Sequence, residues 1–440
     1  MDSMSNTLNL RRFLLILGDI ILLYLSLFIT IFLGFGDQLK WKWVYPHLVP
    51  FSILYFFWLI IFYIFGLYDL RIIRRSVFHT KAVGAILTGL GVGIVFFYLI
   101  TSFGITPRSN LALNVLIFGV FFLAWRKIFY SSFSSHLLNR TAVIGESPQT
   151  RELTKEIINR PYLGYKLISL DANRELLPQI KEKRIDTLII PNDLASNSWL
   201  AKNLYQSLPA RVNFMDWAIA YETICEKIPI SFVTQTWFLK NLREGEKKFY
   251  DGTKRGIDVI LTGILLIITA PLLLLIGLAI KLEDRGPVFY SQERIGKDGK
   301  PFFLFKFRSM RIGAESKTGP VWAKKEDPRA TRTGKWLRRI HLDELPQMIN
   351  VLKGEISLVG PRPERPEFVQ DLENKIPHYH IRHLIKPGFT GWAQLKFRYG
   401  RSVMDSQEKF QYDLYYLKNR GLFLDLGILL KTFQLFFKKE

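Results

Sequence analysis

The chain opens with four long apolar stretches separated by short polar ones: about Phe13–Phe35, Leu48–Leu67, Ala82–Ile105 and Ser109–Trp125. A helix needs roughly 20 apolar residues to cross the hydrocarbon core of a bilayer. The first three stretches meet that length and the fourth is shorter. The pattern predicts four transmembrane helices in a first domain, residues 1–135. The leading segment MDSMSNTLNLRRF and the apolar run after it carry no small-residue cleavage site, which favours a retained first span over a removed signal peptide. Asp19 lies inside that first span near one end, where a helix-packing or interfacial role is the preferred reading.

From about Arg140 to Asp216 the pattern changes. The runs TAVIG, YKLISLD, DTLIIP and ARVNFMD alternate with helical segments, predicting βαβ units and a small parallel sheet in a second domain, residues 136–240. A dinucleotide fold would carry G-x-G-x-x-G after its first strand. Here VIGESPQT offers Gly145 alone, and Glu146 places negative charge where a phosphate would sit. The domain therefore reads as a degenerate Rossmann-like scaffold or regulatory module. Tyr162 and Lys166 are similar to the Tyr-x-x-x-Lys pair of short-chain dehydrogenases and sugar dehydratases. They fall before the second strand rather than on a later helix, so coincidence is the preferred reading.

A fifth apolar run, Val259–Ile280, holds 22 residues without a charge. Its length suits another crossing. However, Lys254 and Arg255 precede it, Lys281 and Arg285 follow it, and a crossing would carry everything from Lys281 onward outside, against its charge. Pro271, near the middle, removes a backbone donor and favours a bend. About 11 residues on each side reach about 17 Å, roughly half the hydrocarbon thickness. The preferred reading is a re-entrant hairpin, about residues 256–281, with Lys254, Arg255, Asp258 and Pro271 as its defining residues. A plain transmembrane helix is the alternative.

Charge sharpens this picture. Lys and Arg outnumber Asp and Glu by 60 to 38, a net charge of +22, yet 49% of residues are hydrophobic. Such a chain suits a membrane protein that turns cationic faces to anionic lipid or phosphate substrates. Long uncharged apolar runs argue against nucleic acid as the partner. Arg11, Arg12, Arg71, Arg74, Arg75, Lys81, Arg126, Lys127 and Arg140 fall on one side of the predicted spans, and Lys40, Lys42 and Arg108 on the other. The positive-inside rule then places the amino terminus and everything after Trp125 in the cytoplasm. A single cysteine, Cys225, excludes an intramolecular disulfide and a cysteine-based zinc site.

The carboxyl-terminal block carries the candidate chemistry. Arg294, Lys306, Arg308, Arg329, Arg332, Arg338, Arg339 and Arg362 lie in segments shaped by glycine and proline, a pattern suited to gripping a polyanion with planar donors. Among them, LRRIHLDELPQ sets Asp343 beside Glu344. One reading is a helix start, with Asp343 as N-cap and Pro346 at the third helical position. The other is a reactive pair near a phosphate, and the two are compatible because helix amino termini attract phosphate. His378, His380 and His383 have spacing poorly matched to helical metal ligands and read as surface or interface histidines. The final segment GLFLDLGILLKTFQLFFKKE predicts an amphipathic helix on the inner leaflet, with Lys438 and Lys439 at the headgroups. Core packing is the competing reading for that segment.

In order along the chain stand KRGID (Lys254–Asp258), FKFRSM (Phe305–Met310), DPRATRTGKWLRR (Asp327–Arg339), LDELPQ, NVLKGEISLVGPRPE (Asn350–Glu364) and PGFTGWAQ (Pro387–Gln394). This set resembles the bacterial sugar transferase family, the monotopic phosphoglycosyl transferases, over roughly residues 248–440. Members move a sugar phosphate from a UDP-sugar to a polyprenol phosphate. The four spans and degenerate Rossmann-like domain are similar to its long members, the undecaprenyl-phosphate glucose or galactose phosphotransferases. The implied fold is a membrane protein of α plus α/β class: four transmembrane helices, a Rossmann-like parallel α/β domain, and an α/β transferase domain, residues 241–440, with a re-entrant membrane helix.

The resemblance implies that Asp343 becomes phosphoglycosylated while Glu344 assists as base or with Mg2+, both carboxylates being metal ligands. It also implies substrate contacts from Arg308, Arg329, Arg338, Arg362, Gly388, Thr390 and Gly391. The implied partners are a UDP-sugar, undecaprenyl phosphate, inner-membrane lipid and a second copy in a homodimer. The implied location is the bacterial inner membrane, multi-pass, with the catalytic domain on the cytoplasmic face and a role in starting exopolysaccharide, capsule or O-antigen synthesis. The chemistry is coherent in itself. A carboxylate attacking the β-phosphorus splits one difficult transfer into two, while Mg2+ and arginines neutralise the pyrophosphate. Family members often carry serine two residues before the aspartate, where this chain has His341. Two other classes stay open: a membrane-anchored nucleotide-sugar dehydratase and a non-catalytic scaffold of polysaccharide assembly.

Overall fold

A computed structural model of the protein describes residues 2–36, 40–68, 75–99, 108–135, 139–145, 147–160, 165–171, 173–191, 197–314, 327–397 and 402–437. Glu146, Tyr162, Arg71, Arg74, Lys438 and Lys439 lie outside the described residues, as do the side chains of Arg11, Arg12, Arg75 and Arg108. The chain divides into two compact units, Met1–Cys225 and Glu226–Glu440.

The first unit begins with four long helices: α1 (Asp2–Phe35), α2 (Trp41–Ile64), α3 (Arg75–Leu99) and α4 (Arg108–Ser135). Each contains an apolar window long enough to cross a membrane. Leu15, Leu23, Phe51, Trp58, Phe62, Phe118 and Phe122 fill the interior of the bundle. Apolar packing gives helices little preference for one another over lipid, so polar contacts specify how they pair. Arg126 Nη2 donates to Asp19 Oδ2 at 2.6 Å, with both side chains no more than 1% exposed. Arg126 Nη1 reaches the Leu67 carbonyl at 2.9 Å. Asp19 thus has the packing role expected of it. Arg126 differs from the sequence reading: it is a buried partner inside α4, not a loop charge, because an unpaired aspartate at that depth would be costly.

The remainder of this unit is a four-stranded sheet in the order β2-β1-β3-β4, all neighbours parallel. Its elements are β1 (Asn139–Val143), α5 (Pro148–Asn159), β2 (Tyr165–Leu167), α6 (Leu176–Lys183), β3 (Thr187–Ile190), α7 (Ser198–Gln206), β4 (Asn213–Asp216) and α8 (Trp217–Cys225). All four strand-like runs of the sequence appear as strands, with Ala142, Ile144, Leu188, Leu200 and Leu204 in the core between sheet and helices. Cys225 is buried as a thiol.

The second unit starts with a strap whose Ile228, Ile230 and Val233, together with Trp237 and Phe238 of α9 (Gln235–Asn241), pack on Leu372, Ile376, Tyr379, Phe410 and Leu414. Next comes α10 (Lys248–Asp284), 37 residues helical through Pro271. Its middle turns large apolar side chains outward, Ile267 at 77% and Leu274 at 76% exposure. An antiparallel hairpin follows, β5 (Phe289–Ile295) and β6 (Pro301–Phe307), paired from Phe289↔Phe307 to Ile295↔Pro301.

Beyond the hairpin lie α11 (Arg332–Arg339), α12 (Gln347–Lys353), β7 (Ser357–Val359), α13 (Pro366–Lys375), β8 (Gly388–Thr390), α14 (Trp392–Lys396), α15 (Val403–Asn419) and α16 (Leu422–Phe437). β7 and β8 run parallel. Leu304, Met348, Val351, Ile356, Leu358, Trp392, Tyr416 and Ile428 form the core that joins them. α16 packs into this core on one side, with Ile428 wholly buried, and turns Phe423 outward at 94% exposure.

Candidate active site

The two carboxylates sit in a short 3₁₀ turn, Leu342–Glu344, entered through His341 in the left-handed region at φ 55°. This corrects the helix-start reading. Asp343 is inside the turn rather than an N-cap, and Pro346 is itself the residue preceding α12, with no side-chain cap. The left-handed residue turns the chain from α11 into the 3₁₀ turn that leads on to α12. Asp343 therefore comes close to α11, and Glu344 faces strand β6.

The two neighbours have opposite surroundings. Glu344 Oε1 accepts from Lys306 Nζ at 3.0 Å and from Arg362 Nη2 at 2.7 Å. Burial alone would push the Glu344 carboxyl up, but the charges and hydrogen bonds of Arg362 and Lys306 hold it well below the usual carboxylate range. Asp343 is buried, yet no described residue donates a hydrogen bond to it. Burial, and next the adjacent Glu344 charge, push its carboxyl up, opposed by Lys306, His341 and Arg338. Two carboxylates at one site are thus driven apart in acidity. Glu344 is fixed and ionised, while Asp343 is the more basic and is left free.

The scaffold explains much of the surrounding motif. Asn350 of α12 accepts from the Phe305 amide at 3.0 Å and donates to the Phe303 carbonyl at 2.7 Å, pinning strand β6 beside the 3₁₀ turn. This fixes where Lys306 emerges. Arg362 stands in the turn after β7. Arg294 Nη1 donates to the Pro363 carbonyl at 3.0 Å, and Arg382 Nη2 donates to the Arg362 carbonyl at 3.0 Å. The Arg362 side chain remains 43% exposed, so its remaining donors face solvent.

Among the other expected substrate contacts, Arg338 lies near enough to Asp343 to favour its charged form. Arg308 is buried and pairs with Asp284 at the end of α10. Arg329 grips Asp327 through two donors, Nε at 2.8 Å and Nη2 at 2.6 Å. That pairing holds the Asp327 carboxyl down at about 2. Gly388 and Gly391 meet Gly360: a Cβ on Gly388 would lie 2.0 Å from its nitrogen and one on Gly391 2.1 Å from its oxygen. They allow a tight backbone seam between β7 and β8. Thr390 is buried, with its hydroxyl 2.8 Å from that of Thr432. Arg308 and Arg329 are thus engaged in ion pairs, and Gly388, Thr390 and Gly391 lie at the β7–β8 seam, while Arg338 and Arg362 stand beside the carboxylate pair.

Sequence reasoning treated Lys306 as one cation among many and missed Arg382, Asp413 and Tyr379. Asp413 carries a usable signal, a lone acid in QYDLYYL, since a charge among apolar neighbours needs a partner. Arg382 was overshadowed by its histidine neighbours in PHYHIRH. His383 also departs from the surface reading: burial, then the Arg382 and His380 charges, push its imidazole down to about 3. Among the described residues no three histidine, cysteine or acidic side chains gather as a metal cluster.

The family described as "Bacterial sugar transferase" matches residues 249–439. A UDP-N-acetylgalactosamine-undecaprenyl-phosphate N-acetylgalactosaminephosphotransferase of Aeromonas hydrophila is 43% identical over 183 residues, 42% of this chain and 43% of that protein. A UDP-glucose:undecaprenyl-phosphate glucose-1-phosphate transferase of Escherichia coli (strain K12) is 41% identical over 181 residues, 41% of this chain and 39% of that protein. The match thus spans less than half of these two longer relatives. An "Exopolysaccharide production protein PSS" of Rhizobium leguminosarum bv. phaseoli is 39% identical over 184 residues, which are 41% of this chain but 92% of that protein.

Proposed function

The chain belongs to the bacterial sugar transferase family, and from that premise we propose that it transfers a sugar 1-phosphate from a UDP-sugar to undecaprenyl phosphate, releasing UMP. The observation that carries this reading is the clasp of Glu344 by Lys306 and Arg362 beside an Asp343 that accepts no hydrogen bond from the described residues. A free, buried, unusually basic carboxylate is suited to nucleophilic attack. In the first step an Asp343 oxygen bonds to the β-phosphorus, the bond from that phosphorus to the bridging oxygen breaks, and UMP leaves with the electron pair. In the second, an undecaprenyl phosphate oxygen attacks the same phosphorus and the Asp343 carboxylate is restored. Arg362 and Arg338 offer donors to the phosphoryl oxygens as charge builds on them. Glu344, ionised throughout, anchors Lys306 and Arg362 in position.

Mg2+ belongs to the same proposal. The hydrogen bonds to Glu344 engage Oε1, which leaves Oε2 and the Asp343 oxygens as hard donors. One or two carboxylates with substrate phosphates are what this cation usually takes. Bound there, it would neutralise pyrophosphate charge.

The re-entrant reading of α10 is part of the proposal as well, and both flanks of Pro271 support it. Ahead of it, Arg255 donates to the Val351 and Leu352 carbonyls at 2.6 and 2.7 Å, and Asp258 accepts from the Leu358 amide at 3.3 Å. Behind it, Asp284 pairs with Arg308, and Glu283 accepts from the Arg332 and Thr333 amides at 2.7 and 3.2 Å. A crossing helix would set these ends on opposite sides of a hydrocarbon core about 30 Å thick, yet all their partners belong to one unit. The reading extends to a catalytic face in the cytoplasm, inner-membrane lipid as neighbour, a homodimer as the assembly, and the start of a polysaccharide pathway as the role. The sugar proposed is a hexose, glucose or galactose, with N-acetylhexosamines as the competing class.

The test is UMP release by the detergent-purified protein with undecaprenyl phosphate and a panel of UDP-sugars, with trapping of radiolabelled sugar phosphate on the chain. Label on Asp343 is expected. A keto-sugar product would instead favour a dehydratase, and normal complementation by a double Asp343/Glu344 variant would favour a scaffold.

A further inference from the structure

Arg362 has to point its guanidinium at Glu344 while keeping donors free for a substrate phosphate. A residue in a proline-bounded turn does not achieve this alone, because the turn can pivot about its own carbonyls. Two arginines from other elements hold those carbonyls. Arg294 of β5 takes the Pro363 oxygen, and Arg382 takes the Arg362 oxygen. Arg382 is the more committed of the two. It is 5% exposed, its Nη2 also donates to Asp413 Oδ2 of α15 at 2.9 Å, and its Nη1 donates to the Tyr379 hydroxyl oxygen at 2.6 Å. Asp413 is 2% exposed. Burying a guanidinium and a carboxylate together costs several kcal/mol of desolvation, which apolar side chains in their place would avoid. Neither group touches the carboxylate pair. Among the described residues, the Arg362 carbonyl is their hydrogen-bonded link toward it.

We propose that Arg382, locked by Asp413 and Tyr379, is a positioning residue that sets the Arg362 turn and so keeps the Arg362 guanidinium on Glu344. The ring of Tyr379 packs in the cluster with Ile228, Ile230, Val233 and Phe410, so this lock is seated on the strap that opens the second unit. The charged groups around Glu344 are Lys306 from β6, Arg362 from the turn and the adjacent Asp343. Arg294 from β5 also senses its charge. Loosening Arg362 removes one of the two cations bonded to Glu344.

The inference rests on the transferase reading for its kinetic arm but not for its structural arm. The variants are Arg382→Lys, Asp413→Asn and the milder Tyr379→Phe, each made in the full chain and in an Arg362→Ala background. In the full chain, UMP release is expected to fall at least tenfold for Arg382→Lys. In the Arg362→Ala background the same change is expected to cost less than twofold, because its route to the site is already gone. Hydrogen exchange of the Gly360, Ile295 and Gly388 amides, which donate to the Thr390, Glu364 and Pro361 carbonyls, is expected to quicken at least tenfold in Arg382→Lys and Asp413→Asn, and not in a His380→Ala control.

Losses that multiply in the double variant would overturn the proposal, and so would unchanged exchange at Gly360, Ile295 and Gly388. If Arg382→Lys does not fold, Tyr379→Phe carries the same comparisons. If the unaltered protein releases no UMP from any UDP-sugar, the transferase reading fails while the exchange arm still judges the lock.

Discussion

Asp343 and Glu344 are adjacent in the chain and opposite in environment: Glu344 Oε1 accepts from two cations, whereas Asp343 accepts from no described residue. This asymmetry separates the tasks that the sequence left joined. Asp343→Asn is expected to abolish transfer, by at least a thousandfold, and to leave no trapped sugar phosphate, because the attacking oxygen is lost. Glu344→Gln is expected to retain some labelling at Asp343 while turnover falls about a hundredfold. Equal labelling of Asp343→Asn and the unaltered protein would count against this division.

Glu344 is held below its ordinary range by Lys306 and Arg362, so its ionised form persists as pH falls. Removing either cation raises the pH at which it protonates. Lys306 and Arg362 also favour the charged form of Asp343, whose carboxyl is the raised one, so Lys306→Met and Arg362→Met should each shift the acid limb of kcat/KM upward, by about one unit, as read in a UMP-release profile between pH 4 and 8. An unshifted limb with a lower plateau would mean that these cations act on substrate alone.

Arg308 offers a contrast with Arg362. Its guanidinium is paired with Asp284 and shielded, so Arg308→Met should act chiefly on stability, by about 2 kcal/mol. A lower thermal unfolding midpoint with KM for the UDP-sugar within about twofold is the expected result. A large rise in KM at unchanged stability would restore Arg308 to the list of substrate contacts.

In the helical bundle, Arg126→Leu alone leaves Asp19 buried without its partner and should cost about 3 kcal/mol. The paired change Asp19→Leu with Arg126→Leu should recover most of that loss. Thermal unfolding in a fixed detergent distinguishes the two outcomes. A double variant no better than the single one would show that the pair does more than hold helices together.

Acid should release the Arg329–Asp327 clasp late. The Asp327 carboxyl is depressed to about 2, so the stability it contributes is complete above its unfolded value near 4 and fades as pH falls toward 2. Asp327→Asn should flatten the stability profile across that interval without altering it at pH 7 to 8 beyond a constant offset.

Much of this molecule was legible in the sequence because the signals were periodic or local. The helices α1 to α4 follow from uninterrupted apolar runs, and β1 to β4 from short β-branched runs spaced by helices. The DE pair and the PRP turn were visible as chemistry. What escaped were relationships closed by long-range contacts. Arg308, Arg329, Arg338 and Arg362 look alike in sequence. The first two are paired with Asp284 and Asp327, while Arg338 and Arg362 stand beside the carboxylates. Asn350 looks like a polar residue at a helix centre until its two bonds to strand β6 are traced. His341, by adopting a left-handed backbone, replaced the expected cap with a 3₁₀ turn, which no periodicity in the flanking residues announces.

The outward-facing band of α10, Ile264 through Leu278, belongs to the same unit as Asp343. That unit therefore brings its own oily skin, separate from the four helices of the first. Cutting away residues 1–225 would remove most of the apolar sequence and still leave a fragment that clumps in plain buffer. Any effort to obtain the chemistry in isolation has to supply a lipid or detergent coat for that one patch.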